Sequence, residues 1–141
     1  ARRLPAFAGY FGGIGPQAFL DDTTTKNVIV AGGRLSGIVD TDFVCFGDPL
    51  YTLGLTRMAL LAAGLPTAYT DRWAEALGLG DAGRAAVALY TALFAADFLS
   101  ELGQRFNRDE TPAFDPARAA HLGRPLREQL SLLDALEGDL P

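Results

Sequence analysis

A glycine pair, Gly32-Gly33, constrains the fold of this chain more than any other feature. It separates two short runs rich in β-branched residues, residues 27–30 and 34–39. Glycine adopts positive φ without steric cost, and a two-residue turn of this kind joins antiparallel strands. The sequence therefore predicts a β-hairpin in which residues 31 and 34 pair across the turn.

The predicted register of this hairpin brings two oxygen-bearing side chains together. If residues 31 and 34 pair, Asn27 faces Ile38, and Asp40 shares the face of Ile38 because side chains alternate along a strand. Asn27 and Asp40 are then diagonal neighbours about 7–8 Å apart, and one Mg²⁺ can accept oxygens from both. Asp22 lies in the loop entering the open end of the hairpin, where it can take a proton from a hydroxyl group. Such a trio suits magnesium-assisted phosphoryl transfer.

The same residues form part of a longer pattern. Asp22 and Asn27 are followed by Gly37-Ile38-Val39-Asp40 and then by Gly47-Asp48-Pro49-Leu50. This order resembles the C-terminal lobe of the aminoglycoside phosphotransferase and choline kinase-like family. The family pattern is His-Gly-Asp-x-x-x-x-Asn, a hydrophobic strand ending in Ile-Asp, and Gly-Asp-Pro ahead of a helix. The motif match covers about residues 17–55.

The resemblance implies a fold, a reaction and a set of site residues. The fold is α+β and mostly α, a protein-kinase-like C-terminal lobe in which a short catalytic β-hairpin is followed by a helical bundle. Asp22 is implied to be catalytic, and Asn27 and Asp40 to be the metal ligands that hold Mg²⁺ with ATP. The implied reaction moves the γ-phosphoryl group of ATP to a hydroxyl of an aminoglycoside- or choline-like small molecule.

The chain has one lysine, Lys26, inside the loop between Asp22 and Asn27. From that position it can meet a phosphate of the bound ATP or the carboxylate of Asp22. We expect it to be a cofactor-binding residue. A solvated loop charge is the alternative.

The expected organisation is that of half a kinase. Residues 1–47 are expected to carry the catalytic loop and metal-binding hairpin, and residues 48–141 the helical subdomain. A kinase also needs a glycine-rich strand-turn-strand and a strand lysine, and the sequence shows neither. The glycine-rich residues 9–15 are interpreted as a flexible approach to the catalytic loop. We therefore expect a C-lobe fragment, inactive alone, that requires a missing N-terminal nucleotide lobe or a partner chain.

Two other classes of function remain open. Leu20-Asp21 stands where the family has His-Gly, which favours a pseudokinase-type module that binds a ligand or a protein without catalysis. A helical domain with a coincidental Asp/Asn hairpin is the third possibility.

Helix signals begin at Asp48-Pro49, where a capping acid precedes a first-turn proline. They predict a helix over residues 50–63 that ends at Gly64, and a second helix over residues 69–77. Asp48 is interpreted as the helix cap and as a brace for the metal loop.

A third and longest helix is predicted to be capped by Asp81. Its apolar positions recur every three or four residues and predict a buried stripe, formed by Val87, Tyr90, Phe94, Phe98 and Leu102. Asp115-Pro116 repeats the cap-then-proline signal, and Gly123 with Pro125 predicts two separate helices after it.

Composition restricts the partners. Twelve basic and seventeen acidic residues give a net charge of −5, which argues against nucleic acid and favours a cationic or neutral small substrate. The single cysteine, Cys45, excludes an internal disulfide and suits a reducing cytoplasm. No stretch has the length or flanks expected of a signal peptide or a membrane span. We expect a cytoplasmic protein with no nucleic-acid and no membrane partner.

Other acids could supplement the site. Asp42 shares the predicted strand parity of Asp40 and is interpreted as a supporting or solvated acid. Acids of the helical subdomain often recognise cationic substrates in the family, and the sequence does not distinguish among the four candidates, Asp71, Glu75, Asp97 and Glu101.

Overall fold

Short strands lead into a bundle of helices. The computed structural model describes residues 4–105 and 112–136. The first part contains a 3-10 helix (Leu4–Phe7), α1 (Ala8–Gly12), β1 (Gln17–Leu20), a 3-10 turn (Thr25–Asn27), β2 (Val28–Ala31), β3 (Arg34–Ile38) and β4 (Val44–Gly47). The helices that follow are α2 (Leu50–Ala62), α3 (Ala68–Ala76), α4 (Asp81–Ser100) and α5 (Pro116–Leu136). The α+β, mostly helical class is confirmed, and the finer assignment to a kinase-like lobe stays a prediction.

The strands of the described residues form two separate antiparallel pairs. β2 and β3 make the predicted hairpin, in which Ala31 pairs with Arg34 and the two turn glycines have φ of +57° and +72°. β1 pairs with β4, which sequence analysis did not predict. Each of these two strands has four residues, too few to show a clear alternation.

The first two long helices lie within a residue of their predicted bounds. Asp81, however, is the first residue of α4, and Gly80 occupies the capping position. The Asp81 carboxylate therefore lies in the first turn of α4, where it complements the helix dipole without capping a backbone N–H.

The predicted break at Gly123 and Pro125 is wrong, because α5 runs through both residues. Pro125 is fully buried, and α5 packs along α4 over much of its length. This packing offsets the roughly 3 kcal/mol that an internal proline costs a helix. The Asp115-Pro116 signal is confirmed, since Asp115 Oδ1 accepts a hydrogen bond from Arg118 N at 3.0 Å.

α4 is the central helix, and its inner face is built from small side chains. The alanines that are buried there allow α2 and α5 to approach closely, namely Ala85, Ala86, Ala88, Ala92 and Ala95. Of the predicted stripe, Val87 is buried, whereas Tyr90, Phe94, Phe98 and Leu102 are only partly buried. The closest approach is at Gly54 of α2, where an added Cβ would overlap Tyr90 Cβ and lie 3.1 Å from Thr91 N.

By length and composition, α4 qualifies as a helix that could cross a membrane, the one such helix in the described ranges. The expectation that no stretch is long and apolar enough was therefore wrong. A core helix of a globular domain meets the same criterion, and α4 buries eight of its residues inside the bundle.

The first part of the glycine-rich segment near the N-terminus is helical. Residues 8–12 form α1, so the expected flexible approach is wrong for residues 9–12, whereas residues 14–16 lie outside helices and strands. Phe7, just before α1, is 1% exposed and packs with Leu89 and Leu133. Tyr10 of α1 donates a hydrogen bond to Asp48 Oδ2 at 2.8 Å. These contacts dock the segment on the bundle.

Candidate active site

The loop between β1 and β2 is closed by its own hydrogen bonds. Asp22 Oδ1 accepts from Thr24 N at 3.1 Å, and Thr24 O accepts from Asn27 N at 2.9 Å. Asn27 Nδ2 donates to Asp22 O at 2.9 Å. The predicted catalytic acid and the predicted amide ligand are therefore held together by the loop that contains both.

Helix α2 holds the start of this loop. Thr52, 3% exposed, donates from Oγ1 to Leu20 O at 2.8 Å, with Asp21 O 3.4 Å from the same hydroxyl. Leu20 and Asp21 are the residues that stand in place of the family's His-Gly. The backbone of this stretch is thus anchored by a threonine from the neighbouring helix.

Charge at Asp22 is balanced by Lys26. Lys26 Nζ lies 3.0 Å from Asp22 Oδ2, and the two side chains are 71% and 28% exposed. Burial of the Asp22 carboxylate acts to raise its pKa, but interactions with Thr24 and Lys26 together outweigh burial and leave the pKa below its usual value. The carboxylate is therefore ionised at neutral pH. Of the two predicted roles of Lys26, the contact with this carboxylate is present.

The register that was used to place Asn27 beside Asp40 is wrong. A bulge at Ile29/Val30 shifts the pairing, so that Val28 faces Ile38. Asn27 O accepts from Val39 N at 2.9 Å, which sets Asn27 opposite Val39. A bulge places one extra residue on one strand, so the side chains beyond it lie on the opposite face from the one that simple counting predicts.

Asp40 itself lies beyond the end of β3 with φ +57°. A residue in this left-handed region interrupts the alternation of side chains, so strand parity does not decide where its carboxylate points. Asp40 is exposed, whereas Asn27 is 6% exposed. The assignment of these two residues as metal ligands rests on the family pattern and stays a prediction.

The donor chemistry of this region fits Mg²⁺ brought in with a nucleotide. Because Asn27 Nδ2 is engaged by Asp22 O, the amide oxygen is the atom left to act as a ligand. In the part of the chain that the structure describes, there is no group of three or more His, Cys, Asp or Glu residues able to hold a metal ion. Mg²⁺ commonly takes one or two protein oxygens and completes its shell with water and phosphate oxygens.

A cavity of about 410 Å³, here called the loop cavity, opens beside Asp22. Its polar end is formed by the loop between β1 and β2, namely Asp22, Thr24, Thr25 and Lys26. Its other walls are apolar and come mainly from α2 and the residues after it, namely Leu55, Ala59, Leu60, Ala63 and Leu65, with Phe98 from α4. Sequence analysis missed these walls, although Leu55, Ala59 and Ala63 recur every four residues on one face of a helix.

Thr24 is a buried polar residue in the loop between β1 and β2. It is 4% exposed, and within the described residues its Oγ1 has no hydrogen-bond partner of acceptable geometry. The hydroxyl is nevertheless close enough to Asp22 to help lower the pKa of that carboxyl group.

Asp48 joins three helices. Its Oδ1 accepts from Leu50 N at 2.9 Å, which confirms the predicted cap of α2. Its Oδ2 accepts from Tyr10 OH at 2.8 Å and Tyr90 OH at 3.1 Å. The pKa of each tyrosine is raised, first by burial and then by the nearby carboxylate. The carboxylate therefore braces α1 and α4, and the predicted brace for the metal loop is not among its hydrogen bonds.

The four helical acids lie outside the loop cavity. Asp71 forms an ion pair with Arg57, and Glu75 forms one with Arg72 at 2.8 Å. Among the described residues that line the loop cavity, Asp22 is the one acid.

A family model described as the phosphotransferase enzyme family matches residues 15–90, which is more than half of the chain. The match begins just before β1 and ends within α4. It thus includes the catalytic loop, the hairpin and α2. No curated protein and no solved structure gives a significant match to the chain.

Proposed function

This chain belongs to the phosphotransferase enzyme family, and from that membership we propose that it carries the acceptor side of an ATP-dependent phosphotransferase acting on a small-molecule hydroxyl. Asp22 is the catalytic residue, Asn27 and Asp40 are the ligands of Mg²⁺, and Lys26 contacts the phosphates of ATP. The observation that carries the proposal is the Asp22 carboxylate, ionised and fixed by its own loop at the wall of the loop cavity.

The proposed step is an in-line transfer. The acceptor oxygen bonds to the γ-phosphorus, the bond from that phosphorus to the β–γ bridging oxygen breaks, and ADP leaves with the electron pair. The hydroxyl proton passes to Asp22, whose carboxylate orients the acceptor until the new bond is largely formed. Bound Mg²⁺ would supply compensation for the negative charge of the phosphates.

Lys26 must change partners for this step. Its pairing with Asp22 is largely exposed, and such pairs stabilise a protein by only about 0–1 kcal/mol. When Lys26 turns to a phosphate, Asp22 Oδ2 loses its ionic partner and can take the proton of an acceptor hydroxyl that is already bound at Asp22. A lysine on a long flexible stem suits this exchange.

A nucleotide lobe, from the same protein or a partner chain, is also part of the proposal. Both strand pairs carry large apolar side chains at the surface, here called the apolar strand surface, namely Ile29, Val30, Leu35, Ile38, Val39, Phe43, Val44 and Phe46, all at least 39% exposed. Exposed apolar patches of this kind usually mark an interaction surface. Part of this apolar strand surface lies on the β2–β3 hairpin, next to the predicted metal ligands, and this position supports a nucleotide lobe that covers the bound ATP.

The direct test is ATP-dependent phosphoryl transfer by the protein that contains this chain, compared before and after Asp22→Asn. We expect kcat to fall about 10²–10⁴-fold, the usual contribution of general acid–base catalysis, with little change in the KM of ATP. Asp81→Asn is the matched control, because Asp81 is an exposed acid of α4 that does not line the loop cavity. Full activity of the Asp22→Asn protein would show that this carboxylate is not the base.

The alternative is a non-catalytic binding module, favoured by Leu20-Asp21 at the position of the family's His-Gly. Calorimetric titration with Mg–ATP separates the two. Asp40→Ala should weaken Mg–ATP binding and leave binding of metal-free ATP almost unchanged. Tight Mg–ATP binding without any transfer would favour the module.

A further inference from the structure

The loop cavity has almost no net charge. Among the described residues that line it, Asp22 and Lys26 are the charged pair, and their side chains are in contact at 3.0 Å. The remaining walls present aliphatic side chains, two threonines and Phe98. A cationic acceptor whose hydroxyl binds at Asp22 would place its positive charge along the other walls, where the described lining residues include no carboxylate.

Among the described residues that line this cavity, no second acid is present to compensate a buried positive charge. The helical acids Asp71 and Glu75 are on α3 and have arginine partners, and neither lines the loop cavity. Phe98 is the one aromatic residue among the described lining residues. Quaternary ammonium groups are recognised by cages of several aromatic rings, and a single ring does not form such a cage.

The cavity does suit a ligand with one hydroxyl and a hydrocarbon body. Its volume of about 410 Å³ lies within the usual range for small-molecule sites. At the polar end, the Asp22 carboxylate can accept a hydrogen bond from a ligand hydroxyl. Along the rest, Leu55 and Ala59 present an apolar helix face.

We propose that the acceptor is a neutral, largely apolar alcohol, whose hydroxyl binds at Asp22 and whose hydrocarbon body lies against α2 and Phe98. The proposal deepens the proposed function and rests on it. It differs from the cationic, aminoglycoside- or choline-like acceptor that the family resemblance implies. The physical reason is that burying a charge without a compensating partner is far costlier than burying a hydrocarbon of the same shape.

Two isosteric alcohols test this directly. Choline and 3,3-dimethylbutan-1-ol share the same hydroxyethyl arm and the same bulky head, and they differ in whether the central atom of the head is a cationic nitrogen or a neutral carbon. Dissociation constants for the chain are measured by ligand-observed NMR at fixed ionic strength and without ATP. We expect the neutral alcohol to bind at least about tenfold more tightly than choline.

A pair of substitutions assigns the binding to this cavity. Ala59→Asp places a carboxylate on the apolar wall and should move the binding ratio severalfold toward choline. Ala96→Asp is the matched control, since Ala96 is an exposed residue of α4 that does not line the cavity, and it should leave the ratio unchanged. Circular dichroism of both variants verifies that they are folded.

Three results would overturn the proposal. They are choline binding as tightly as the neutral alcohol, no binding of either alcohol, and equal effects of the two alanine substitutions. Failure of the proposed function looks different, because the neutral alcohol would then bind in the loop cavity but receive no phosphoryl group from ATP in the protein that contains this chain.

Discussion

Among the described glycines, Gly54 is the one at which an added methyl group should destabilise the fold most. An added Cβ would overlap Tyr90 Cβ and lie 3.1 Å and 3.2 Å from two backbone atoms of α4, Thr91 N and Tyr90 C. Backbone and Cβ atoms cannot rotate away, so α2 and α4 must separate. Gly54→Ala therefore tests whether the two helices are really in backbone contact.

The expected magnitude combines two opposing effects. Overpacking a core costs about 1–3 kcal/mol. We expect Gly54→Ala to lie at the upper end of this range, because the atoms nearest to the added Cβ cannot move aside. Alanine is favoured over glycine inside a helix by about 1 kcal/mol. The free energy of unfolding should thus fall by about 2 kcal/mol, and Tm by about 6–8 °C for a chain of this length.

Gly83→Ala is the matched control. Its added Cβ would meet the Leu79 side chain at 3.3–3.4 Å, and that side chain can move. Since Gly83 lies in the first turn of α4, we expect no loss of stability and a gain of up to about 0.5 kcal/mol. Urea unfolding followed by circular dichroism measures both variants. If Gly54→Ala is as stable as the parent chain, the close approach of α2 and α4 is refuted.

Two further predictions concern buried hydroxyl groups. Thr52→Val removes the hydrogen-bond donor to the backbone of Leu20 and should lower the free energy of unfolding by about 1–2 kcal/mol. Thr56→Val removes a fully buried hydroxyl without a partner in the described residues and should be neutral or stabilising. Equal losses in urea unfolding would contradict this. The pKa values of Tyr10 and Tyr90 are raised above 10.0 in the folded chain, so these tyrosines ionise first in the unfolded chain as pH rises. The two protonated tyrosines therefore contribute fully to stability below pH 10, and this contribution is lost above it. Urea midpoints should therefore fall less between pH 9 and pH 11 in a Tyr10→Phe/Tyr90→Phe chain than in the parent, and an unchanged fall would exclude these phenols as the cause.

Local signals in the sequence predicted the local features of the fold. The glycine pair predicted the hairpin turn because positive φ at both positions is a property of the two residues themselves. Caps and prolines predicted where α2 and α5 begin, because the hydrogen bonds involved span three residues or fewer. Features set by distant contacts were missed, namely the β1–β4 pairing and the passage of α5 through Pro125.

In the candidate site, too, local features could be predicted from the sequence and features set by distant contacts could not. The contacts of Asp22 with Asn27 and Lys26 are local, since Asn27 follows Asp22 by only five positions, and the Lys26 contact was one of the alternatives that the sequence offered. The relation of Asn27 to Asp40 depended on counting residues around the hairpin, and one extra residue at the bulge invalidated the count. The spacing of Leu55, Ala59 and Ala63 marks one face of a helix, but nothing in the sequence placed that face beside the loop, because the two are in separate parts of the chain.

Helix α2 presents different chemistry on its two sides. One side, with Leu53, Gly54 and Met58, is fully enclosed, and the other carries Leu55 and Ala59 into the loop cavity. The two groups of residues lie on different faces of the helix, so substitutions on the cavity side need not disturb the enclosed side. Single substitutions at two or three cavity positions should therefore change which small molecule fits the cavity, without requiring extra stability elsewhere in the chain.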